Sequence, residues 1–200
     1  IGFKTHTKIA LIVRKEKGRL RNYFHIGTGN YNSNTSKFYT DLGLLSTDPE
    51  IASDLLELFN YLSGFSKQKS YQKLLVSPSS MRKKFIFLIK REIKNAEEGK
   101  KAEIIAKMNS LVDPEIINLL YLASDSGVKI SLIVRGICCL YPQRKNLSEN
   151  IKVKSIIGHF LEHSRIFWFC NNGDNEVFIG SADWMRRNLD RRIEAVTPIE

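Results

Sequence analysis

Two apolar runs near the start of the chain predict a pair of strands joined by a tight turn. The runs are Thr7–Val13 and Arg21–Gly27, and the polar segment between them contains Gly18. If the first run is a strand throughout, His6 and Lys8 lie on the same side of it, because side chains alternate along a strand. The pattern therefore predicts a hairpin that carries an imidazole and an ammonium group on one side.

Two stretches with helical periodicity follow the hairpin. The first has apolar side chains at helical spacing, a capping box formed by Thr47 and Glu50, and a stop at Gly64. The second is predicted to be capped by Ser77 and to end near Glu98. Both patterns are typical of amphipathic helices that cover one face of a sheet.

The second half of the chain begins with a strand, helix, strand pattern, which predicts parallel pairing. Its parts are a strand at Ala102–Met108, a helix from Asp113 to about Ser126, and a strand at Val128–Val134. Arg135 then stands at the carboxyl end of a strand, where open α/β sheets place ligands. We interpret it as an anion ligand, with a surface salt bridge as the alternative. Four more strands are predicted at Ile151–Ser155, Ile166–Cys170, Glu176–Ile179 and Ile193–Val196.

These elements predict an α/β protein of two units with mixed sheets flanked by helices. A polar and basic segment at residues 65–73 separates them, so we expect one unit at 1–73 and another at 74–200. Both units share an order of features. A His-x-basic triplet opens a strand, a hairpin follows, and the returning strand ends in a short segment rich in small residues, Gly27–Asn30 in the first unit and Gly180–Asp183 in the second.

Composition narrows the classes of partner. The chain has 200 residues, of which 42% are hydrophobic, and a net charge of +10 from 31 basic and 21 acidic residues. The surplus favours a polyanionic partner, although a merely soluble basic protein is an equal alternative. No run approaches the roughly 18 to 20 apolar residues of a membrane span. The three cysteines follow neither zinc nor disulfide spacing, which favours a cytoplasmic location.

The candidate chemistry is centred on two histidines in matching contexts. His6 is followed by Lys8, and His163 by Arg165, so each imidazole has a cation two residues away. An imidazole can attack phosphorus while a cation holds its oxygens, and a second imidazole can act as a general acid or base. Two further groups support anion binding. They are the glycine amides of residues 27–29 and the side chains of Asn30 and Asn32. The remaining histidines, His25 and His159, lack this context and are interpreted as structural.

The combined motifs resemble the C-terminal catalytic region of the first family of bacterial polyphosphate kinases, which is itself similar to the phospholipase D superfamily. The motifs that carry the resemblance run along the whole chain: Lys4–Lys8, His25–Asn32, Phe38–Asp41, Ile133–Cys139, Leu161–Arg165 and Ser181–Met185. The resemblance implies two phospholipase D-like units. It also implies that the first is truncated at its N-terminus and the second at its C-terminus.

The resemblance also implies a reaction, namely reversible transfer of the terminal phosphate of ATP to inorganic polyphosphate through a phosphohistidine. His6 would be the nucleophile, and His163 would assist at the leaving or attacking oxygen and contact the nucleotide. Tyr39 and Arg135 match positions that contact the nucleotide. We expect the other phosphate-binding side chains to be Lys8, Asn30, Arg165 and Arg192.

The family uses magnesium with its ATP substrate, and the motifs leave its protein ligands unassigned. Asp41 is the nearest carboxylate to which the motifs give no other role. Expected partners are ATP, ADP and polyphosphate, with homo-oligomers of the intact protein, peripheral membrane association and no nucleic acid. We expect the isolated 200 residues to show little or no kinase activity, since family domains precede this region. A phospholipase D-like phosphodiesterase or nuclease and a non-catalytic polyanion-binding module remain the alternatives.

Overall fold

The computed structural model describes residues 2–65 and 70–199, which form three sheets and four α-helices. In chain order the strands are β1 (Lys4–Thr5), β2 (Ile9–Glu16), β3 (Arg19–Gly27), β4 (Tyr39–Thr40), β5 (Gly43–Ser46), β6 (Leu75–Ser77), β7 (Glu103–Met108), β8 (Lys129–Val134), β9 (Ile151–Lys154), β10 (Leu161–Glu162), β11 (Ile166–Phe169), β12 (Glu176–Gly180) and β13 (Arg192–Ile199). The helices are α1 (Pro49–Leu62), α2 (Met81–Glu97), α3 (Pro114–Asp125) and α4 (Arg186–Asp190). Single 3₁₀ turns lie at Thr35–Lys37 and Asn171–Gly173.

The largest sheet has the strand order β1-β13-β12-β11-β7-β8-β9, with β6 paired to β13 beside this path. As predicted, β7 and β8 are parallel and are joined through α3. Strands β11 and β12 are antiparallel, and the 3₁₀ turn at Asn171–Gly173 lies in the hairpin connection between them. Alternate residues of β7 are buried, so one face of this sheet packs against α2 and α3. This arrangement gives the second unit its own core.

The smaller sheet, β2-β3-β5, is the predicted hairpin with one added strand, and α1 packs against it. Strand β2 begins at Ile9, so the prediction that His6 and Lys8 lie on one strand is wrong. Both residues lie in the connection between β1 and β2. The predicted capping box is also wrong, because Asp48 is the N-cap and its carboxylate accepts the Ile51 N–H at 2.8 Å. Asp48 directly precedes the proline at the first helical position, where a cap is required.

The start of α2 differs from the prediction as well. Ser77 ends a short strand, and the helix begins at Met81 after Ser80. The buried segment Leu75–Ser77 is strand because it pairs with β13, which lies far away in the sequence. A three-residue strand of this kind has no local pattern of its own, so the sequence pattern places the helix start too early.

The two units are interlocked through β13. Strand β1 of the first unit extends the large sheet by pairing with β13, and β4 pairs with β10 across the units. The two faces of β13 contribute to different cores: Ile193 and Ala195 pack in the α1 cluster, whereas Val196 packs in the α2 and α3 cluster. Residues from the two units therefore meet at two places, where β1 pairs with β13 and where β4 pairs with β10.

The connection between the units is fixed to α1 by one buried carboxylate. Asp54 accepts the backbone N–H groups of Gln72, Lys73 and Leu74 at 2.7–2.9 Å. The predicted boundary at residues 65–73 includes 66–69, which lie outside the described residues. Among the helices of the described ranges, none has the length and apolar character needed to cross a bilayer.

Candidate active site

The first histidine is held by a carboxylate from the other unit. His6 Nδ1 lies 2.9 Å from Oε2 of Glu194, which is fully buried on β13, and the His6 backbone N–H donates to the Ile193 carbonyl at 2.8 Å. Glu194 also accepts from the Ser181 hydroxyl at 2.5 Å and from the Asn188 amide. Because a carboxylate accepts, Nδ1 carries the proton, and Nε2 retains its lone pair. In this tautomer Nε2 is the ring nitrogen of His6 whose lone pair can act as a nucleophile.

Lys8 lies beside this histidine and is itself buried, with only 3% of its surface exposed. Its ammonium donates to the His6 carbonyl at 2.5 Å. Burial lowers the pKa of Lys8 to about 8, against the attraction of Glu194, with nearby Arg165 contributing in the same direction as burial. A buried ammonium next to a second cation gains stabilisation from any anion that enters, so this position favours phosphate oxygens.

The second histidine repeats this arrangement with the units exchanged. His163, on the second unit, places Nδ1 2.8 Å and 3.1 Å from the carboxylate oxygens of Asp41, which belongs to the first unit. Burial acts to raise the pKa of Asp41, but hydrogen bonds from His163 and Thr28 outweigh it and lower that pKa overall. Asp41 is therefore ionised and accepts from Nδ1, so it has a structural partner that the motifs did not assign, and its expected role toward magnesium stays a prediction.

The two centres differ at Nε2. Arg165 Nη1 lies 2.9 Å from Nε2 of His163 and 3.3 Å from its Nδ1, so the guanidinium contacts this imidazole directly. The rest of the Arg165 guanidinium is held by Asp183, at 3.2 Å and 3.3 Å. His6 has no such contact among the described residues. Nε2 of His6 is therefore less obstructed than Nε2 of His163, and the His6 side chain is also the more exposed of the two.

Arg135 is connected to the second centre by a chain of hydrogen bonds. Its Nε donates to the side-chain oxygen of Asn109 at 2.8 Å, and the Asn109 amide donates to the His163 carbonyl at 3.0 Å. The backbone N–H of Asn109 in turn donates to Asp183 at 2.7 Å. Arg135 forms no ion pair within the described ranges, so its salt-bridge alternative is not observed and its charge is available to a ligand.

The glycine-rich loop after β3 supports the second carboxylate. The Thr28 hydroxyl donates to Asp41 at 2.6 Å, and a Cβ on Gly29 would overlap with the same carboxylate. Gly29 is therefore required by close approach. The Asn32 side-chain oxygen accepts two backbone N–H groups of the following turn, so Asn32 has a structural role. Asn30 is exposed at the rim and remains a candidate ligand.

The other predicted site residues lie around these centres. The Tyr39 ring is 4.9 Å from the His163 ring, between centroids. Arg192 lies two residues before Glu194 on β13, and its charge contributes to the lowered pKa of Lys8. His25 donates to or accepts from the Tyr31 hydroxyl at 2.6 Å and packs against glycines, which agrees with its structural interpretation. His159 lies on an exposed loop, so its structural interpretation is not supported.

The two carboxylate partners were missed in the sequence. Glu194 and His6 are separated by 188 positions, and Asp41 and His163 by 122. No spacing rule reaches over such distances. One signal was present: Glu194 interrupts the apolar run Ile193–Val196, and an acid in a buried strand requires a polar partner.

Comparisons with known proteins assign this arrangement to a family. The family model described as polyphosphate kinase C-terminal domain 2 matches residues 74–200, and the model described as polyphosphate kinase C-terminal domain 1 matches residues 1–68. The chain belongs to the polyphosphate kinase family. Polyphosphate kinases of Parasynechococcus marenigrum and Prochlorococcus marinus are 67% and 68% identical over 200 residues, which is all of this chain and 28% of each relative. The chain thus spans little more than a quarter of those proteins.

Solved structures agree with this assignment. The crystal structure of polyphosphate kinase from Porphyromonas gingivalis matches 99% of this chain and 31% of that chain, with a TM-score of 0.93 and 43% identity. A mutant of yeast tyrosyl-DNA phosphodiesterase matches 97% of this chain and 66% of that chain, with a TM-score of 0.59 and 12% identity, which shows a shared fold alone. The predicted α/β class, with mixed sheets flanked by helices, is confirmed.

Proposed function

We propose that this region carries the phosphoryl-transfer centre of a polyphosphate kinase, which moves the terminal phosphate of ATP reversibly to inorganic polyphosphate through a phosphohistidine. Membership of the family supports the substrates. The observation that supports the mechanism is that an imidazole of each unit is oriented by a carboxylate of the opposite unit. Lys8, beside His6, lies close enough to both carboxylates and to Arg165 for their charges to affect its pKa. A surrounding group of cations suits an anionic substrate.

In the first step, Nε2 of His6 attacks the γ-phosphorus of ATP. A P–N bond forms, the P–O bond to the β-phosphate breaks, and ADP leaves with the bonding electron pair. Glu194 keeps Nδ1 protonated, holds the ring in place and stabilises the positive charge of the phosphorylated imidazole. Lys8 and Arg192 offset the charge on the phosphoryl oxygens.

In the second step, a terminal oxygen of polyphosphate attacks the phosphohistidine, the P–N bond breaks, and His6 is regenerated. His163 acts at the leaving oxygen of the first step and the attacking oxygen of the second, with Asp41 fixing its tautomer. In either step the oxygen would displace the Arg165 guanidinium from Nε2 of His163 or bind beside it. Reversal of the two steps returns phosphate to ADP.

Magnesium is proposed to enter with the nucleotide. Within residues 2–65 and 70–199, no group of three or more His, Cys, Asp or Glu side chains is arranged to hold a metal ion. The two carboxylates nearest the imidazoles, Asp41 and Glu194, already accept hydrogen bonds from them. We propose that magnesium arrives and leaves as part of the MgATP substrate and offsets the charge of its phosphates.

The test is phosphoryl labelling of a full-length polyphosphate kinase that carries this sequence. We expect γ-labelled ATP to give acid-labile label on the unmodified protein and on His163→Ala, but none on His6→Ala. Label retained by His6→Ala would reject His6 as the nucleophile. Cleavage of a phosphodiester by the same preparation without ATP would favour the phosphodiesterase alternative.

A further inference from the structure

The short helix α4 contacts the carboxylate that orients His6, and the catalytic steps above give this helix no role. Asn188 of α4 is buried, and its side-chain amide donates to Oε1 of Glu194. The other carboxylate oxygen, Oε2, accepts from the Ser181 hydroxyl and lies 2.9 Å from Nδ1 of His6. Asn188 and His6 therefore bind different oxygens of one carboxylate, so the amide can affect how that carboxylate faces the imidazole.

The carboxylates of the two centres differ in their donors. Each accepts from a hydroxyl at the second position of a segment of small residues, Thr28 to Asp41 at 2.6 Å and Ser181 to Glu194 at 2.5 Å. Glu194 has the Asn188 amide as a further donor. The Asp41 side chain is 21% exposed and can be solvated, whereas Glu194 is fully buried and depends on donors from the protein. The additional donor thus belongs to the centre of the proposed nucleophile.

The contact with Glu194 also explains why an asparagine occupies position 188. Its side-chain oxygen is buried and has no hydrogen-bond partner among the described residues. An unpaired buried oxygen costs free energy, so packing alone does not favour an amide here. A carboxylate can only accept, and the amide nitrogen supplies the donor that an apolar side chain of the same size would lack.

The opposite end of this connection is fixed by Arg82 of α2. Its Nε and Nη2 donate to the two carboxylate oxygens of Asp190, the last residue of α4, both at 2.7 Å. The same guanidinium donates to Asp113, the N-cap of α3, at 3.0 Å and 2.7 Å. A helix of five residues has few backbone hydrogen bonds of its own, so such contacts decide where it lies. We call Arg82, Asp113 and Asp190 the Arg82 clamp.

The main chain beside α4 is held by other means. Arg192 pairs with Lys4 of β1, and its carbonyl accepts from the Ser77 hydroxyl at 3.0 Å. Glu194 is in register with Ser77 of β6. The backbone of β13 is therefore fixed by its neighbouring strands, while the amide from α4 acts on the Glu194 side chain. A change in α4 should affect the orientation of His6 more than the binding of phosphate by Arg192.

We propose that Asn188 is a positioning residue for the nucleophile: its amide, placed by the Arg82 clamp through α4, holds the Glu194 carboxylate so that Oε2 accepts from Nδ1 of His6. The inference rests on the proposed function, because it assumes that His6 is the nucleophile. It adds a determinant of the rate of phosphoryl transfer that contacts neither substrate.

The test is single-turnover labelling by γ-labelled ATP in a full-length polyphosphate kinase that carries this sequence. Asn188→Leu removes the donor with little change in side-chain size. We expect the maximal rate of acid-labile labelling to fall about 10- to 100-fold, because a hydrogen bond to a charged group is lost and Glu194 no longer holds the His6 ring. The half-saturating concentration of ATP should stay unchanged, since the substrate-binding groups are not altered.

Asp190→Asn tests the same connection from the partly exposed side of α4. It removes one charge from the Arg82 clamp, so we expect a fall of about two- to fivefold in the same maximal rate, again without a change in half-saturating ATP. Glu115→Gln is the matched control. Glu115 accepts from the same guanidinium at 2.7 Å but lies on α3, so its replacement should leave the labelling rate unchanged.

An unchanged labelling rate in Asn188→Leu would overturn the positioning role, as would a loss of rate with a matching rise in half-saturating ATP. Equal effects of Asp190→Asn and Glu115→Gln would overturn the part assigned to α4. If thermal unfolding shows that Asn188→Leu does not fold, the comparison of Asp190→Asn with Glu115→Gln decides. Failure of the proposed function appears separately, as label retained by His6→Ala.

Discussion

The environments of His6 and His163 are alike in plan and different in one contact. The Nδ1–H of each ring donates a hydrogen bond to a carboxylate of the opposite unit. Each histidine is also followed, two residues later, by a basic residue. In the first centre the cation, Lys8, bonds to the backbone and leaves Nε2 open. In the second the cation, Arg165, contacts the ring itself. The two carboxylates therefore orient both rings in the same way. In the proposed mechanism, the different contact made by the basic side chain separates the nucleophile from the assisting histidine.

The largest expected effect comes from exchanging the two carboxylates for amides. Glu194→Gln should lower kcat by about 10²- to 10⁴-fold, because the amide neither holds the required tautomer of His6 nor stabilises its positive charge. Asp41→Asn should cost less, about 10- to 10³-fold, since in the proposed mechanism His163 is not itself phosphorylated. The measurement is steady-state turnover together with the rate of acid-labile labelling.

Labelling separates the two variants. Glu194→Gln should slow formation of the phosphohistidine, whereas Asp41→Asn should affect turnover more than the amount of label at equilibrium. An equal loss of label in both variants would contradict the distinction between nucleophile and assistant.

The next effect concerns Lys8. Lys8→Met should raise the KM for phosphate substrates about 10- to 100-fold, because the change removes the buried ammonium that is proposed to bind phosphate oxygens. The same change should stabilise the folded protein at pH 7 by about 1–3 kcal/mol. The folded-state pKa of Lys8, about 8, lies below the ordinary 10.5, so folding requires burial of a charge at pH values below 8.

The sign of the pH dependence follows from this shift. Between pH 8 and 10.5 the unfolded chain binds more protons at Lys8 than the folded protein does, so the unmodified protein gains stability as pH rises. Urea unfolding at about pH 7 and about pH 10 should therefore show the advantage of the methionine variant shrinking at the higher pH. A constant difference would mean that the stabilisation has another cause.

The smallest effect is expected from making the second centre resemble the first. Arg165→Lys keeps the charge but cannot bind Asp183 through two nitrogens and reach the His163 ring at the same time. We expect kcat to fall about tenfold, with labelling of His6 retained. Label appearing on His163 of this variant would show that Arg165 is what prevents that ring from acting as the nucleophile. Lys8→Arg at the first centre is the matched control.

Local patterns predicted much of this fold. Strand periodicity and helix caps act over a few residues, so they can be recognised in the local sequence. This is the case for the apolar runs of β2, β3, β7 and β8 and for the Asp-Pro start of α3. Thr47 and Asp48 can both cap a helix, and only the geometry of the turn decided for Asp48.

The parts that escaped prediction are those whose cause lies far away in the chain. Strand β6 exists because β13 pairs with it, and Asp41 and Glu194 acquire their roles from rings in the opposite unit. The histidines themselves could be identified because their context recurs. Their carboxylates could not, since Asp41 and Glu194 occupy dissimilar positions in the two copies and share no motif.

The exchange of carboxylates between the units makes each half an obligate donor to the other. If the two halves were produced separately, each would contain a histidine that lacks its carboxylate partner. Both histidine–carboxylate pairs would form only when the halves were combined. A substitution at the carboxylate of one unit then affects the histidine of the other unit, so the sequences of the two units are expected to evolve together.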